Sequence, residues 1–485
     1  MAVAIGHGYT LIVTEDGNIC ASGNNQHGQL GIGDFEPHDQ SYLLKYVDTF
    51  GGHEVVMVAA EAMNCMSACV TKDGSLWTWG DSRCGALVHP QLFVLGDDLQ
   101  CRPRRVPASL HGNSPVVMVA FGGQFLLILT ISGHIWSLGE GMFFELGHGS
   151  CNQLWVPKRI NPAVFDNAEI GMIAAGCNHC LALSKTDGRV WSWGNNSKGQ
   201  TGVDNEFVDE TTRCVQNPTL IPAAVLEGGS VVFVSCGCDF SALVTADGVV
   251  WMCGNNRQNE IGLGDNIARS HVFRRVGGAE FFGSGIRMVS CGMSHSMILA
   301  NDNSVWTCGN GRNGELARAS NTDAEDEGMR GRPRRIDDST FHRSVTRGMH
   351  DNDVVVVAAG VHCSFAITYA GSLYGWSARP STYFHDIEEE LHQPIWASYK
   401  VAARTLGYAD NSEEYARAGR WHYIHHDAMI AFIMGTQPGF AVNTPRPSNS
   451  MFPRDMLEQL FGAMRFAPRE ATSHGVRTCL GIGDA

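Results

Sequence analysis

The amino-acid sequence predicts an all-β chain in which seven four-stranded sheets form a closed β-propeller, followed by a C-terminal extension that contains helices. One pattern, two apolar runs around a tight turn, recurs seven times at a spacing of about 55–60 residues. A large aromatic residue recurs at one position of this pattern. Glycine is abundant, with 56 residues, and only 17% of residues are charged, which is typical of many turns between buried strands. Small sheets of this kind are stable only when they pack against neighbours.

The turn of each repeat carries a glycine, usually preceded by aspartate. Asp-Gly between two apolar runs is a strong hairpin signal, because glycine accepts the positive φ of the turn. Asn303 replaces the glycine in the sixth copy, and asparagine is the best substitute at positive φ. The turn glycines are Gly17, Gly74, Gly133, Gly188, Gly248 and Gly371.

The aromatic residue follows the turn position by three residues. We expect it to fill a wedge-shaped core between neighbouring sheets. The first copy has Cys20 there and the seventh has Tyr374. The other five copies have Trp77, Trp136, Trp191, Trp251 and Trp306.

A short segment with proline nearby ends several copies, as at Pro103–Val106. Proline cannot donate to a β-ladder, so this segment is predicted to be an outer edge strand. Gln393–Val401 is predicted to supply the outer strand of the last blade. The propeller is therefore predicted over residues 1–400 and a partly helical extension over 401–485.

Several motifs recur in a fixed order and resemble the regulator of chromosome condensation repeat, over about residues 3–380. They are Gly176-x-x-His179, Asp187-Gly188, Trp191-Ser-Trp-Gly194 and Gly28-Gln-Leu-Gly31. The resemblance implies a seven-bladed propeller.

The best-known member of this family is similar to an exchange factor for a nuclear small GTPase and binds nucleosomes partly through a basic N-terminal tail. This chain starts directly in its first strand, which argues against chromatin docking by that route. The third copy shows no clear wedge-like insertion of the kind that contacts the GTPase. The motif histidine remains only at His179 and His295.

Composition limits the partners and the compartment. The formal charge of −14 gives no global attraction for nucleic acid or for an anionic membrane, and the longest apolar stretch, Val116–Ile131, is interrupted by glycines. The cysteines lie mostly inside apolar runs and show no disulfide framework. We expect an intracellular chain, cytoplasmic or nuclear. Its tail also resembles those of large amoebal DNA viruses, which would imply a host-cell or virion location.

Basic pairs recur in register on the predicted outer strands. One interpretation is a basic belt for an acidic partner or a phosphate backbone; the other, which we favour, is protection of sheet edges against aggregation. The belt comprises Arg104, Arg105, Lys158, Arg159, Arg274 and Arg275, with a further pair at Arg334–Arg335.

The connection between the sixth and seventh copies is the longest and carries many charges. Long loops on a rigid scaffold often bind partners, although a plain charged loop explains this one equally well. The candidate partner-binding residues are Asp326, Glu327, Arg330, Arg332, Arg334 and Arg335.

No residue pattern predicts catalysis, a metal or a cofactor. Cys177-x-x-Cys180 could be half of a zinc site or a redox pair, but it coincides with a repeat strand. His422–Asp427 is rich in imidazoles but lacks a helical His-Glu-x-x-His pattern.

These observations predict a non-catalytic protein-interaction scaffold rather than an enzyme. One alternative is a guanine-nucleotide exchange factor for a small GTPase. The other is a substrate-recognition subunit of a ubiquitin ligase, because Phe452–Phe461 resembles the opening of an F-box. The sequence leaves open which partner binds and how the ring closes.

Overall fold

The computed structural model describes residues 2–14, 17–36, 45–46, 50–61, 65–83, 85–87, 99–203, 208–264, 266–312, 314–317, 331–337, 340, 353–369, 373–376 and 395–397. Within these ranges the chain forms seven antiparallel sheets of four strands each. This architecture confirms the predicted seven-bladed β-propeller. The predicted extension 401–485, including Phe452–Phe461 and His422–Asp427, lies outside the described residues, and its boundary stays a prediction.

Each blade is built from four strands that follow one another in the chain; we call them the inner, second, third and outer strand. The strands of blades 1 to 3 are β1 Ala2–Gly6, β2 Tyr9–Val13, β3 Ile19–Gly23, β4 Lys45–Tyr46, β5 Val55–Ala60, β6 Met66–Thr71, β7 Leu76–Asp81, β8 Leu99–Arg105, β9 Val116–Phe121, β10 Phe125–Thr130, β11 Ile135–Gly139 and β12 Leu154–Arg159. The strands of blades 4 and 5 are β13 Ile170–Ala175, β14 His179–Ser184, β15 Val190–Asn195, β16 Cys214–Leu220, β17 Val231–Cys236, β18 Phe240–Thr245, β19 Val250–Asn255 and β20 Arg269–Gly277. Those of blades 6 and 7 are β21 Ile286–Cys291, β22 His295–Ala300, β23 Val305–Gly309, β24 Arg334–Arg335, β25 Val354–Ala359, β26 Ser364–Thr368, β27 Leu373–Trp376 and β28 Ile395–Ala397.

Single helical turns lie in the four connections that join blades 2 to 6. They are the 3-10 turns Ala108–His111, Pro162–Phe165 and Ala223–Leu226 and the α-helical turn Ala279–Phe282. Each ends on a residue in the left-handed conformation, respectively Gly112, Asp166, Glu227 and Gly283.

Among the described residues, the first and last blades exchange no strand. There blade 1 consists of β1–β4 and blade 7 of β25–β28, with Leu373 opposite Ala397. The inner strands β1 and β25 contact each other, and Val3 and Ile5 pack against Phe365. Closure therefore depends on side-chain packing rather than on a shared sheet.

The tight turns have the backbone geometry that the repeat predicts. Gly17, Gly74, Gly133, Gly188 and Gly248 have φ values of 74°, 79°, 72°, 69° and 77°. Asn303 has a φ of 65°, and its side-chain oxygen accepts a hydrogen bond from Arg287 Nη2 at 2.8 Å. That hydrogen bond favours asparagine over glycine at this turn.

The apolar core consists of clusters that span the boundaries between blades. Trp191 of blade 4 is 1% exposed and meets Phe165, from the preceding connection, edge to face at 5.7 Å. Trp251 is also buried, whereas Trp77, Trp136 and Trp306 are only half-buried. The deeper aromatic position lies two residues further along the third strand. Trp79, Trp193 and Trp376 occupy it.

The antiparallel order gives the propeller two different faces. The inner-to-second and third-to-outer connections lie on one face, which we call the loop face. The Asp-Gly turns and the connections between blades lie on the other, the turn face. The outer strands run from the loop face to the turn face, so their basic pairs lie at the rim of the turn face.

Substitution Trp191→Ala is expected to lower the free energy of unfolding by about 3–5 kcal/mol, because it empties a packed site between blades 3 and 4. Chemical denaturation monitored by circular dichroism measures this change. The exposed Trp155→Ala is the control, with an expected loss of about 1 kcal/mol or less. A loss below about 1 kcal/mol for Trp191→Ala would contradict the packing role.

Candidate interaction surfaces

The turn face carries a rim of aspartates held by local hydrogen bonds. Asp73 accepts from Thr71 Oγ1 at 2.6 Å and from the Ser75 backbone N–H at 3.1 Å. Burial alone would raise the pKa of Asp73, but these hydrogen bonds outweigh it and hold the pKa below its usual value. Asp302 has a lowered pKa for the same reasons, with Arg335 nearby. These carboxylates are ionised at neutral pH.

The basic pairs of the outer strands lie in a common register, and all of their members except the half-buried Arg334 are exposed. The second member of each pair stands opposite the third-strand tryptophan. The pairs are Arg105 with Trp77, Arg159 with Trp136, Arg275 with Trp251, and Arg335 with Trp306. Arg105 also donates to Ser75 Oγ at 2.8 Å and lies 3.9 Å from Asp73. In blade 2, the second member is therefore tied to the aspartate turn.

The first members of the pairs point to the opposite side of their strands, because adjacent residues alternate across a sheet. Arg104, Lys158 and Arg274 are exposed there. Blade 4 interrupts the belt, since Thr219 and Leu220 occupy the equivalent positions opposite Ser192 and Trp191.

The candidate residues of the long connection do not form one group in the described residues. Asp326, Glu327 and Arg330 lie outside them. Arg332 is exposed, and Arg334 and Arg335 form the outer strand of blade 6. The last two arginines thus belong to the belt and not to a loop.

The loop face holds a feature that sequence reasoning missed. Within the described residues, a buried glutamine or glutamate recurs in the third-to-outer connection of five blades. In four of them its side chain accepts from the backbone N–H two residues earlier, as Gln200 does from Lys198 at 2.9 Å. Burial raises the pKa of Glu145 to about 7 and raises that of Glu260. The residues are Gln29, Glu145, Gln200, Glu260 and Glu315. The signal was a Gln or Glu that stands six residues after the recurring glycine of the third strand, before an apolar residue or threonine, in these five blades.

The backbone carbonyl of the same residue binds the next blade. The Gln29 carbonyl accepts from Ser67 Oγ at 2.7 Å and from Trp79 Nε1 at 2.8 Å. The Glu315 carbonyl accepts from Ser364 Oγ at 2.8 Å and Trp376 Nε1 at 2.7 Å. These hydrogen bonds join blade 1 to blade 2 and blade 6 to blade 7.

The two motif histidines belong to this structural network. His179 Nε2 lies 2.8 Å from Ser241 Oγ, and Ser241 donates to the Gln200 carbonyl at 2.7 Å. His295 has the same relation to Ser364. Burial lowers the pKa of each histidine to about 3, so both are neutral. Their arrangement fits inter-blade support and not general base catalysis.

The Cys-x-x-Cys motif is divided between two environments. Cys180 Sγ donates to the Glu145 carbonyl at 3.3 Å in the blade interface. Cys177 lies on the loop face, with its Sγ 2.9 Å from that of Cys238 in the next blade.

Within the described part of the chain, no group of three or more His, Cys, Asp or Glu side chains could hold a metal ion. In that same part, no helix is long and apolar enough to cross a membrane.

Family models match most of the propeller. The RCC1-like domain model matches residues 1–278, and the regulator of chromosome condensation (RCC1) repeat model matches residues 286–315.

Curated relatives share the repeat region. The chain is 32% identical to the ultraviolet-B receptor UVR8 of Arabidopsis thaliana over 269 residues, 55% of this chain and 56% of the receptor. It is 34% identical to the E3 ubiquitin-protein ligase HERC2 of Homo sapiens over 235 residues, 48% of this chain and 4% of the ligase. The chain thus spans less than two thirds of the length of each of these relatives.

Solved structures show the same fold at lower identity. Human WBSCR16 superposes with a TM-score of 0.61 at 22% identity, covering 76% of this chain and 87% of that one. Yeast RCC1 (Prp20), in its complex with Kap60, gives a TM-score of 0.63 at 20% identity, covering 78% of this chain and 83% of that one.

Substitution His179→Phe should reduce the loss of stability in acid. A histidine buried as the neutral form stabilises the fold fully above its unfolded pKa of about 6.5, and this contribution is lost as pH falls towards the folded pKa. When the pH is lowered from 7.5 to 5, we expect the wild type to lose about 2 kcal/mol more of its free energy of unfolding than the variant loses. Phe125 and Phe240 occupy the same position in blades 3 and 5, so the replacement fits the fold.

Denaturation at the two pH values measures this shift, and the exposed His7→Gln is the control. The raised pKa of Glu145 makes the fold more stable as pH falls, which opposes the effect of His179. The informative quantity is therefore the free energy of unfolding of the wild type minus that of the variant at each pH. Parallel pH curves for wild type and His179→Phe would contradict a buried neutral histidine.

Proposed function

The chain belongs to the RCC1-like domain family of β-propellers, and from this premise we propose that it is a non-catalytic protein-interaction scaffold whose basic belt binds an acidic surface on a partner protein. The observation that carries this proposal is the register of exposed basic side chains on the outer strands of four blades. Rigid sheets hold these cations at fixed positions, which favours recognition of a matching pattern of carboxylates.

Two features favour binding over edge protection for part of the belt. Arg105 is committed to the Asp73 turn, whereas Arg104, Lys158 and Arg274 extend from the other side of their strands into solvent. A cation that only protected an edge would need no common register across blades. A protein partner is favoured over nucleic acid, since the net charge of −14 repels a polyanion at long range.

A non-catalytic role fits the chemistry of the interior. His179 and His295 are buried, neutral and bonded to serines that support the next blade. The cysteines that the structure describes form no disulfide with one another, and an intracellular, reducing location remains part of this proposal. The resemblance of the tail to viral proteins stays a prediction, since the tail lies outside the described residues.

Guanine-nucleotide exchange remains an alternative because the family includes an exchange factor, but similarity to Prp20 at 20% identity supports only the fold. Nucleotide-release assays against a panel of small GTPases test it. No acceleration at micromolar protein removes this alternative.

The ubiquitin-ligase alternative depends on Phe452–Phe461, outside the described residues. The match to HERC2 covers 4% of that ligase and brings no ligase activity with it. Capture of cullin-adaptor proteins that is lost when residues 450–485 are deleted would support this function.

Reversal of the outward belt charges, Arg104→Glu with Lys158→Glu and Arg274→Glu, should weaken partner binding at least tenfold. Proximity labelling with the full chain in its native cell identifies partners, and binding of each purified partner is then measured by calorimetry. The matched control reverses three exposed loop-face arginines, Arg213, Arg257 and Arg312, which changes the net charge by the same amount. Equal affinities for the belt variant and the control variant would refute the belt as the binding surface.

A further inference from the structure

Blade 4 holds one of its own arginines in a pocket on the turn face. Arg189 Nε donates to Asp187 Oδ2 at 2.6 Å, and Arg189 Nη1 donates to Asp166 Oδ2 at 2.9 Å. The Arg189 Cζ lies 5.0 Å from the centre of the Trp191 ring. Two carboxylates and an aromatic face thus bind one guanidinium group.

Blade 5 repeats the two acidic positions and the tryptophan of this pocket, but it lacks the arginine between them. Asp247 precedes the turn glycine as Asp187 does, and Trp251 follows it at the position of Trp191. Glu227 ends its helical turn with φ 53° and ψ 28°, the same values as Asp166. Val249 stands where blade 4 has Arg189. The two acidic side chains and the tryptophan are therefore kept, while the cation that they surround in blade 4 is missing.

An open cavity occupies this place in blade 5. Its volume is about 370 Å³, and its lining includes Glu227, Asp247, Val249, Trp251 and Arg275. This volume is on the order of ten water molecules at about 30 Å³ each, enough for the end of an arginine side chain. Glu227 and Asp247 are both exposed, so the cavity is reachable from solvent. We call it the blade-5 notch.

Arg275 reduces the negative charge of the notch but does not cancel it. It comes from the outer strand, opposite Trp251, where blade 4 has Leu220 opposite Trp191. With two carboxylates and one guanidinium among the lining side chains, the notch keeps one formal negative charge. The notch therefore still favours a cation.

We propose that the blade-5 notch binds the guanidinium group of an arginine side chain on a partner protein. An arginine suits the site better than a lysine, because a planar fork can bond two carboxylates while it stacks on an aromatic ring. The inference rests on the proposed scaffold function only in that the arginine comes from a bound protein. It concerns a cation-binding site, whereas the belt would bind an acidic surface.

The direct test uses Nα-acetyl-arginine N-methylamide as the probe, with the lysine analogue as comparison. The full chain is labelled with 5-fluorotryptophan, and the Trp251 and Trp191 fluorine resonances are assigned by substitution. We expect a saturable shift of the Trp251 resonance with a dissociation constant on the order of millimolar, as for a single exposed ionic group. The lysine analogue should bind at least fivefold more weakly, and Trp191 should not respond.

Three variants make the test specific. Glu227→Gln with Asp247→Asn removes both carboxylates and should weaken binding at least tenfold. Val249→Arg with Arg275→Leu rebuilds the arrangement of blade 4, so it should fill the notch, abolish the response of Trp251 and raise the melting temperature. Arg189→Val opens the equivalent place in blade 4 and should make Trp191 respond to the probe.

The proposal is overturned if Trp251 shows no saturable shift, if both probes act equally, or if binding persists in the double variant Val249→Arg/Arg275→Leu. Because the probe needs no partner protein, this result is independent of the belt variant. Whether or not the belt variant loses partner binding, the probe titration is interpreted in the same way.

Discussion

The structure depends on one repeated contact between neighbouring blades: a loop-face carbonyl that accepts hydrogen bonds from the next blade. The Gln200 carbonyl binds Ser241 of the second strand at 2.7 Å and Cys253 of the third strand at 3.5 Å. Glu260 makes the same contacts with Ser296 and Cys308. A buried carbonyl without partners would cost about 1–3 kcal/mol, so at each boundary where this contact occurs a blade needs its neighbour for more than apolar packing.

This contact explains why some apparently unrelated residues recur. Cys253 and Cys308 stand where other blades have a tryptophan whose indole N–H binds the same carbonyl, so a thiol replaces an indole as the donor. Tyr9 replaces the motif histidine in blade 1, where its hydroxyl lies 3.0 Å from Ser67 Oγ. Different side chains thus support one backbone acceptor, and the ring tolerates a divergent repeat.

The charged side chains discussed above lie at the surface of the ring, chiefly on the turn face. There aspartates of the tight turns alternate with basic residues of the outer strands and of the turns themselves. The pairing of carboxylates with basic side chains differs from blade to blade. Blade 2 uses Arg105 against Asp73, blade 4 uses Arg189 against Asp166 and Asp187, and blade 5 keeps its carboxylates around an open cavity. Small differences between copies of one repeat therefore give the blades different local arrangements of charge on this face.

The sequence by itself determined the number of blades, the four strands of each and the residues of the tight turns, because these features depend on neighbours a few positions apart. Gly188 and Asn303 were identifiable since positive φ is a local requirement. Only the tertiary structure decided that His179 supports Ser241, 62 residues away, and that Cys177 meets Cys238 and not Cys180. It alone showed that, within the described strands, blades 1 and 7 meet by side-chain packing and share no sheet. The physical reason is that contacts between blades join residues about one repeat apart, and their pairing follows from how the sheets pack around the axis, which no local pattern records.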